Sequence, residues 1–173
     1  MQIIRSTNIT LEPQLVVHAE EMFAVLSDPA IYTYENEPPA SLEWLRARFA
    51  RLESRRSADG EEQWLNWVIR GQPSQLIGFV QATVRANHCA TIAYVLASSH
   101  WRRGLASEAV KAMIAELAAN HQVRHLSAVF KRDNQRSMRL LERLGFVLAS
   151  PEEHVHADIE AGEQLMQMAI TYT

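Results

Sequence analysis

The stretch His100–Val110, HWRRGLASEAV, places an aromatic residue and two arginines ahead of a single glycine that runs straight into helical spacing. Leu105, Ala109, Met113 and Leu117 recur at the helix period, and Ala106, Val110 and Ile114 widen the same apolar stripe. A helix N-terminus presents unpaired N–H groups and a partial positive charge, which makes it an anion site. Gly104 permits close backbone approach, Ala106 adds little bulk, and Arg102 and Arg103 bring formal charge. Phosphate or pyrophosphate is the ligand that suits such a loop. An ordinary strand-to-helix turn carrying two solvated arginines fits the same string.

Other reactive residue types are sparse. Cys89 is the single cysteine, with only His88 beside it, so it reads as packing near a hairpin turn more readily than as a nucleophile. His154-Val155-His156, read as a strand, turns both imidazoles to one side with Glu152, Glu153 or Asp158 nearby. An exposed strand end fits that pattern as well, and no metal is assigned. Neither G-x-x-x-x-G-K-[ST] nor G-x-G-x-x-G occurs.

The elements that must hold the loop follow from the pattern around it. Thr91–Leu96 is a β-branched and aromatic run that reads as a strand entering the loop. Upstream, Ile3–Leu11 reads as a strand, Gln14–Leu26 as a helix, and Ala30–Ala40 as a loop. Ser41 caps a helix over Leu42–Ser54. Trp64–Arg70, apolar on both faces, is the expected central strand, followed by a strand over Gln75–Val84 and a hairpin turn at Asn87-His88. Trp44, Trp64 and Trp67 are expected in the core, with a place lining a ligand cleft as the alternative for one of them. Downstream, His125–Phe130 reads as a strand, and Asp133 or Asn134 caps a short helix that turns Met138, Leu141 and Leu144 inward. Phe146–Ala149 and Gln164–Thr171 read as a terminal strand pair joined by the acidic segment Pro151–Gly162. The order ends βαβ, so the sheet should be antiparallel early with one parallel pairing late. One domain over residues 1–173 is expected.

Composition narrows the partners. At 173 residues, 47% apolar and 21% charged, the chain is ordinary for a globular protein. A net charge of −3 argues against general nucleic-acid binding. Residues 102–143 hold nine Lys/Arg against four Asp/Glu, and residues 150–173 hold five acids and no Lys/Arg. The basic block thus coincides with the anion loop. No apolar run reaches membrane-spanning length, and MQIIRSTN lacks the apolar core of a secretory signal, so a reducing cytoplasm is the expected setting.

Taken in order, four pieces resemble the GCN5-related N-acetyltransferase (GNAT) family, in particular the branch that acetylates ribosomal-protein N-termini. They are Thr7–Pro13 (TNITLEP), Leu26–Pro29 (LSDP), Ile92–Ala109 (IAYVLASSHWRRGLASEA) and Asn134–Phe146 (NQRSMRLLERLGF). Two departures stand out: Glu12 occupies a place where a basic residue is commoner, and Trp101 holds the first position of the loop signature. The resemblance implies an α/β (α+β) fold with a single central, mixed but mostly antiparallel sheet of six to seven strands flanked by about four helices. It implies acetyl-CoA as cosubstrate, without a metal, and an amine acceptor that is a protein N-terminus or a small molecule. It implies no nucleic acid and no membrane, and it admits a homodimer.

Carried over by position, the backbone of Arg102, Arg103, Gly104, Leu105, Ala106 and Ser107 would cradle the CoA pyrophosphate. Tyr94, Val95 and Leu96 would run beside the pantetheine arm, with a Val95 or Leu96 N–H facing the thioester carbonyl. Asn134 would bond the arm, and Ser137 would stand near the departing sulfur. Asn134 as a plain N-cap and Ser137 as a solvated helix residue are the competing readings.

The amine must be neutral to attack. At pH 7 a lysine amine gives up roughly 4–5 kcal/mol to deprotonate and an α-amine about 1 kcal/mol. Base candidates are Glu35 and Glu37 in one loop and Glu152, Glu153, His154 and His156 in the other, with Glu35 and Glu153 foremost. None is singled out by spacing, which leans toward an α-amine or small-molecule acceptor, and the acidic loops favour a cationic one. The alternative is a non-catalytic acyl-CoA-binding module that kept the fold and lost transfer.

Overall fold

The computed structural model describes residues 1–34, 37–157 and 159–170, with the backbone alone at Val155 and His156. The described residues form eight strands in one sheet: β1 (Ile4–Arg5), β2 (Thr10–Pro13), β3 (Glu62–Arg70), β4 (Leu76–Arg85), β5 (Cys89–Leu96), β6 (His125–Lys131), β7 (Val147–Leu148) and β8 (Glu163–Ala169). Their spatial order is β1-β2-β3-β4-β5-β6-β8-β7. Five α-helices accompany them among the described residues: α1 (Ala19–Leu26), α2 (Leu42–Leu52), α3 (Leu105–His121), α4 (Gln135–Arg143) and α5 (Pro151–His156).

The sheet is larger than the six to seven strands expected because the first strand folds back on itself. Ser6 N–H donates to the Ile9 carbonyl (2.9 Å), and Ile4 then pairs with Leu11. The expected helix over Gln14–Leu26 is likewise shorter. Val16–His18 is a tight 3₁₀ turn, and the α-helix proper starts at Ala19.

β3 is central, as its apolar run over both faces requires, and Leu65, Trp67, Val68 and Ile69 are all buried. One face packs against α3 and α4 through Leu105, Ala109, Val110, Met113, Leu117, Leu140 and Leu141. On the other face Met22 and Leu26 of α1 and Leu45 and Phe49 of α2 cover Val68 and Leu76. Of the three tryptophans expected in the core, Trp67 alone is fully buried. Trp44 is 47% exposed on the outer face of α2, beneath the guanidinium of Arg48 one turn on. Trp64 is half-buried, its Nε1–H donating to Glu62 Oε2 at 3.2 Å.

The feature that makes a site is a change of partner along β5. From Ala90 to Leu96 this strand pairs antiparallel with β4 without interruption. On its other edge it pairs parallel with β6 only at Cys89–Thr91. β6 continues beside β8 as far as Lys131. Beyond Thr91, therefore, β5 and β6 part, and a wedge opens with the second half of β5 as one wall.

Candidate active site

A cavity of about 590 Å³ occupies this wedge, within the size range of small-molecule sites. Tyr94, Val95 and Leu96 form one wall; Trp101, Arg102 and Gly104–Ser107 form its end; Asn134, Ser137 and Leu140 of α4 form the other wall. Ala30, Ile31 and Tyr34 cover the remaining side.

The strand wall follows from hydrogen-bond alternation. Ala97 N–H donates to the Ile77 carbonyl at 2.9 Å, toward β4. Alternate residues of an antiparallel strand face the same neighbour, so the backbone groups of Val95 also face β4, while those of Tyr94 and Leu96 face the wedge. Gly78, opposite Leu96, keeps that approach open: a Cβ there would collide with the Val95 carbonyl oxygen. Trp101 Nε1–H donates to the Leu96 carbonyl at 2.7 Å, tying the loop to the strand end. The Leu96 N–H is the strand donor directed into the cavity near this loop.

At the loop, Arg102 takes a positive φ of 61° and Gly104 one of 77°. Gly104 is the N-cap of α3 and carries no side chain to satisfy the first N–H groups, which open on the cavity. Among the described residues, nothing lies within 4 Å of a Cβ built on Gly104. Arg103 departs from the expected set. Its guanidinium turns to His100 Nδ1 at 3.4 Å, and it does not line the cavity. Burial, with Arg103 alongside, holds the His100 imidazole below its ordinary range, so it is neutral near pH 7.

On α4, Asn134 is the N-cap, its Oδ1 accepting from Ser137 N–H at 3.1 Å. Asn134 therefore has a structural role and still lines the cavity. Ser137 Oγ lies 2.6 Å from the Tyr94 hydroxyl, joining the two walls. Arg136 stacks over the Trp101 ring at 4.3 Å. Arg139 and Arg143 continue the same helix face along the cavity. These arginines escaped the sequence reading, although Arg139 and Arg143, three and seven residues after Arg136, mark one face of a helix.

The side of the cavity formed by Ala30, Ile31 and Tyr34 is fastened by Asp28. Its carboxylate accepts from Ala30 N–H (3.0 Å) and from Ser98 N–H (2.7 Å), joining the Pro29–Thr33 turn to the end of β5. Hydrogen bonding from Ser98, side chain first and then backbone, holds the Asp28 carboxyl below the usual carboxylate range.

Among the described residues, the expected bases Glu37, Glu152, Glu153 and His154 do not line this cavity. Glu35 lies outside the described residues. Glu153 caps its own helix: it accepts from Ser150 N–H at 2.7 Å, and its N–H donates to Ser150 Oγ at 3.3 Å. Those bonds hold its carboxyl below the ordinary range, opposite in sense to a general base poised near neutrality. His154-Val155-His156, weighed above as a strand within the acidic connecting segment, belongs to a helix, α5, which this capping box starts. His154 bridges α5 to β8, its Nδ1 2.9 Å from the Ser150 carbonyl and its Nε2 accepting from Leu165 N–H at 3.1 Å. Cys89 sits at the hairpin turn, its Sγ 3.7 Å from the Asn87 carbonyl, outside the cavity.

Residues 8–147 match the family model described as an acetyltransferase (GNAT) domain. The chain is 27% identical over 131 residues to the uncharacterised N-acetyltransferase YoaA of Bacillus subtilis, a span of 74% of this chain and 73% of that one. It is 24% identical over 148 residues to the uncharacterised N-acetyltransferase p20 of Bacillus licheniformis, covering 84% and 83% respectively. Among solved structures, RimL, a ribosomal α-N-protein acetyltransferase in complex with coenzyme A, superposes with a TM-score of 0.81 at 19% identity over 97% of this chain and 98% of that one. The self-immunity acetyltransferase MccE, in complex with acetyl-CoA and AMP, superposes with a TM-score of 0.80 at 17% identity over 95% and 94%. At these identities the two superpositions establish the fold.

Proposed function

The chain belongs to the GNAT acetyltransferase family, and from that premise we propose that it moves an acetyl group from acetyl-CoA directly to a primary amine, through a ternary complex. The observation that carries this reading is that one cavity joins the Leu96 N–H, the open N-terminus of α3 and the Tyr94–Ser137 hydroxyl pair. RimL and MccE, in complex with coenzyme A and acetyl-CoA, have the same fold, which supports that ligand here.

In this reading Arg102 and the N–H groups from Gly104 to Ser107 hold the pyrophosphate. The pantetheine arm lies against β5 in the place β6 vacates. The acceptor amine enters from the side of Ile31 and Tyr34 and attacks the thioester carbonyl, whose oxygen takes up negative charge facing Leu96 N–H. The carbon–sulfur bond then breaks, with Ser137 beside the departing sulfur. No residue becomes acylated. An α-amine needs about 1 kcal/mol to deprotonate at pH 7, so it reacts without a strong base, whereas a lysine amine needs roughly 4–5. We therefore assign a protein N-terminal α-amine or a small-molecule amine as acceptor. The hydroxyl pair at the cavity wall favours transfer over a non-catalytic acyl-CoA-binding module, which has no need of a donor beside sulfur.

Thermal unfolding with acetyl-CoA tests the reading. Ligand at 100 times its Kd adds about 2.7 kcal/mol, several degrees of Tm at this size. The rise should vanish in Arg102→Glu/Arg103→Glu. No rise in wild type at millimolar acetyl-CoA would remove the proposal.

A further inference from the structure

We propose that Tyr94 is a positioning residue for this reaction: its phenol holds the Ser137 hydroxyl so that the Ser137 hydrogen is presented to the sulfur that leaves. The inference rests on the acetyl-transfer reading above and adds a residue with a separate task to it.

The geometry is specific. Tyr94 comes from β5 and Ser137 from the first turn of α4, 43 residues apart and on opposite walls of the wedge. Their oxygens are 2.6 Å apart, a short hydroxyl–hydroxyl bond, and the phenol oxygen also lies 3.4 Å from the Ser137 carbonyl. Ser137 has little freedom to leave this position, because its own N–H is donated to Asn134 Oδ1 at 3.1 Å. The Tyr94 ring is packed against the buried cluster beneath α3 and α4, so the phenol is fixed as well.

The sense of the bond follows from acidity. A phenol, with a pKa of about 10, is a far better donor than an alkyl hydroxyl. Tyr94 donates, Ser137 Oγ accepts, and the Ser137 hydrogen is free to point away from Tyr94 into the cavity. Accepting one bond also polarises the Ser137 O–H and strengthens the bond it donates.

The reaction step balances without an acylated residue. The amine lone pair forms the carbon–nitrogen bond and the carbonyl pair moves to oxygen. Collapse of that intermediate breaks the carbon–sulfur bond, and its electron pair stays on sulfur as a thiolate that accepts the Ser137 hydrogen bond. The surplus proton on nitrogen passes to water. Tyr94 and Ser137 keep their own protons throughout, so their contribution is to stabilise the developing thiolate.

The test needs no acceptor. CoA itself is bound to wild type, Tyr94→Phe, Ser137→Ala and the double variant, and the thiol of the bound molecule is titrated by the ultraviolet absorbance of its thiolate. A bond donated to the thiolate lowers the pKa of the bound thiol, by about one unit in wild type relative to Tyr94→Phe. Ser137→Ala should raise it at least as much, and the double variant no further than Ser137→Ala alone. In turnover, Tyr94→Phe should lower kcat about tenfold with KM for acetyl-CoA within twofold. A strut joining two walls would instead lower Tm and raise KM with the thiol titration unmoved. Identical titration in wild type and Tyr94→Phe, or additive effects in the double variant, would overturn this assignment alone. A wild type that binds no CoA would overturn the acetyl-transfer reading, and the Tyr94 assignment with it.

Discussion

Gly104→Ala separates backbone strain from ligand contact, because the protein contains its own control. Gly104 sits at φ +77° and Gly60, in the turn before β3, at φ +79°, and in both a Cβ would meet nothing within 4 Å among the described residues. Alanine in the left-handed region costs about 1–2 kcal/mol at either place. For a chain of 173 residues that lowers Tm by roughly 2–8 °C in both variants. The consequences for binding should differ sharply. At Gly104 the new methyl stands before the N-terminus of α3, where a phosphate must reach the helix N–H groups; at Gly60 it stands in solvent at a distant turn. Losing one charge-assisted bond costs about 1.5–3 kcal/mol, so the Kd for acetyl-CoA should rise roughly ten- to a hundredfold in Gly104→Ala. It should stay within twofold of wild type in Gly60→Ala. Isothermal titration at one fixed ionic strength, beside unfolding of the free proteins, measures both effects. Equal affinity in the two variants alongside equal losses of Tm would refute the argument that this loop binds pyrophosphate.

Three further expectations rest on separate observations. Arg139→Ala/Arg143→Ala removes two cations from the α4 wall of the cavity; acetyl-CoA affinity should fall about tenfold at low salt and less at high salt, with Tm of the free protein little changed. Asp28→Ala removes the acceptor for both Ala30 N–H and Ser98 N–H; Tm should drop by roughly 2–4 °C, and KM for the amine should rise more than KM for acetyl-CoA in steady-state kinetics. Glu12 accepts from Arg70 at 2.7 and 3.0 Å, and those bonds hold its carboxyl below the ordinary range. Its contribution is therefore present above the unfolded value near 4.3 and is lost as pH falls through the folded value. Wild-type Tm should fall more steeply than that of Glu12→Gln between about pH 5 and pH 3, as followed by circular dichroism.

What the sequence showed of this protein is what is local in the chain. The Leu105–Leu117 stripe, Gly104 and the strand before them are read from neighbours within one or two turns, and all three stand where expected. The N-cap at Asn134 is equally local, since its partner is Ser137 three residues on. The hairpin at Ile4–Pro13 was missed because alternating residues suit one long strand as well as two short ones, and only the turn bond from Ser6 to Ile9 distinguishes them. α5 was missed although Ser150, Pro151 and Glu153 spell a capping box, because a helix of six residues is too short to show an apolar period. The parting of β5 from β6, and the meeting of Tyr94 with Ser137 across it, depend on pairings between distant segments. No spacing along the chain encodes them.

Direct acetyl transfer to an amine is decided by mass spectrometry of the purified protein after incubation with acetyl-CoA, alone and with an amine panel. The panel contains peptides with free α-amines, peptides whose only amine is lysine, and small primary amines. The expected result is one added acetyl group on α-amine peptides or small amines, faster than on lysine peptides, and an unmodified protein when acetyl-CoA is present alone. Acetyl-CoA that binds yet acetylates nothing in the panel, or a protein that itself carries the acetyl group, would contradict it.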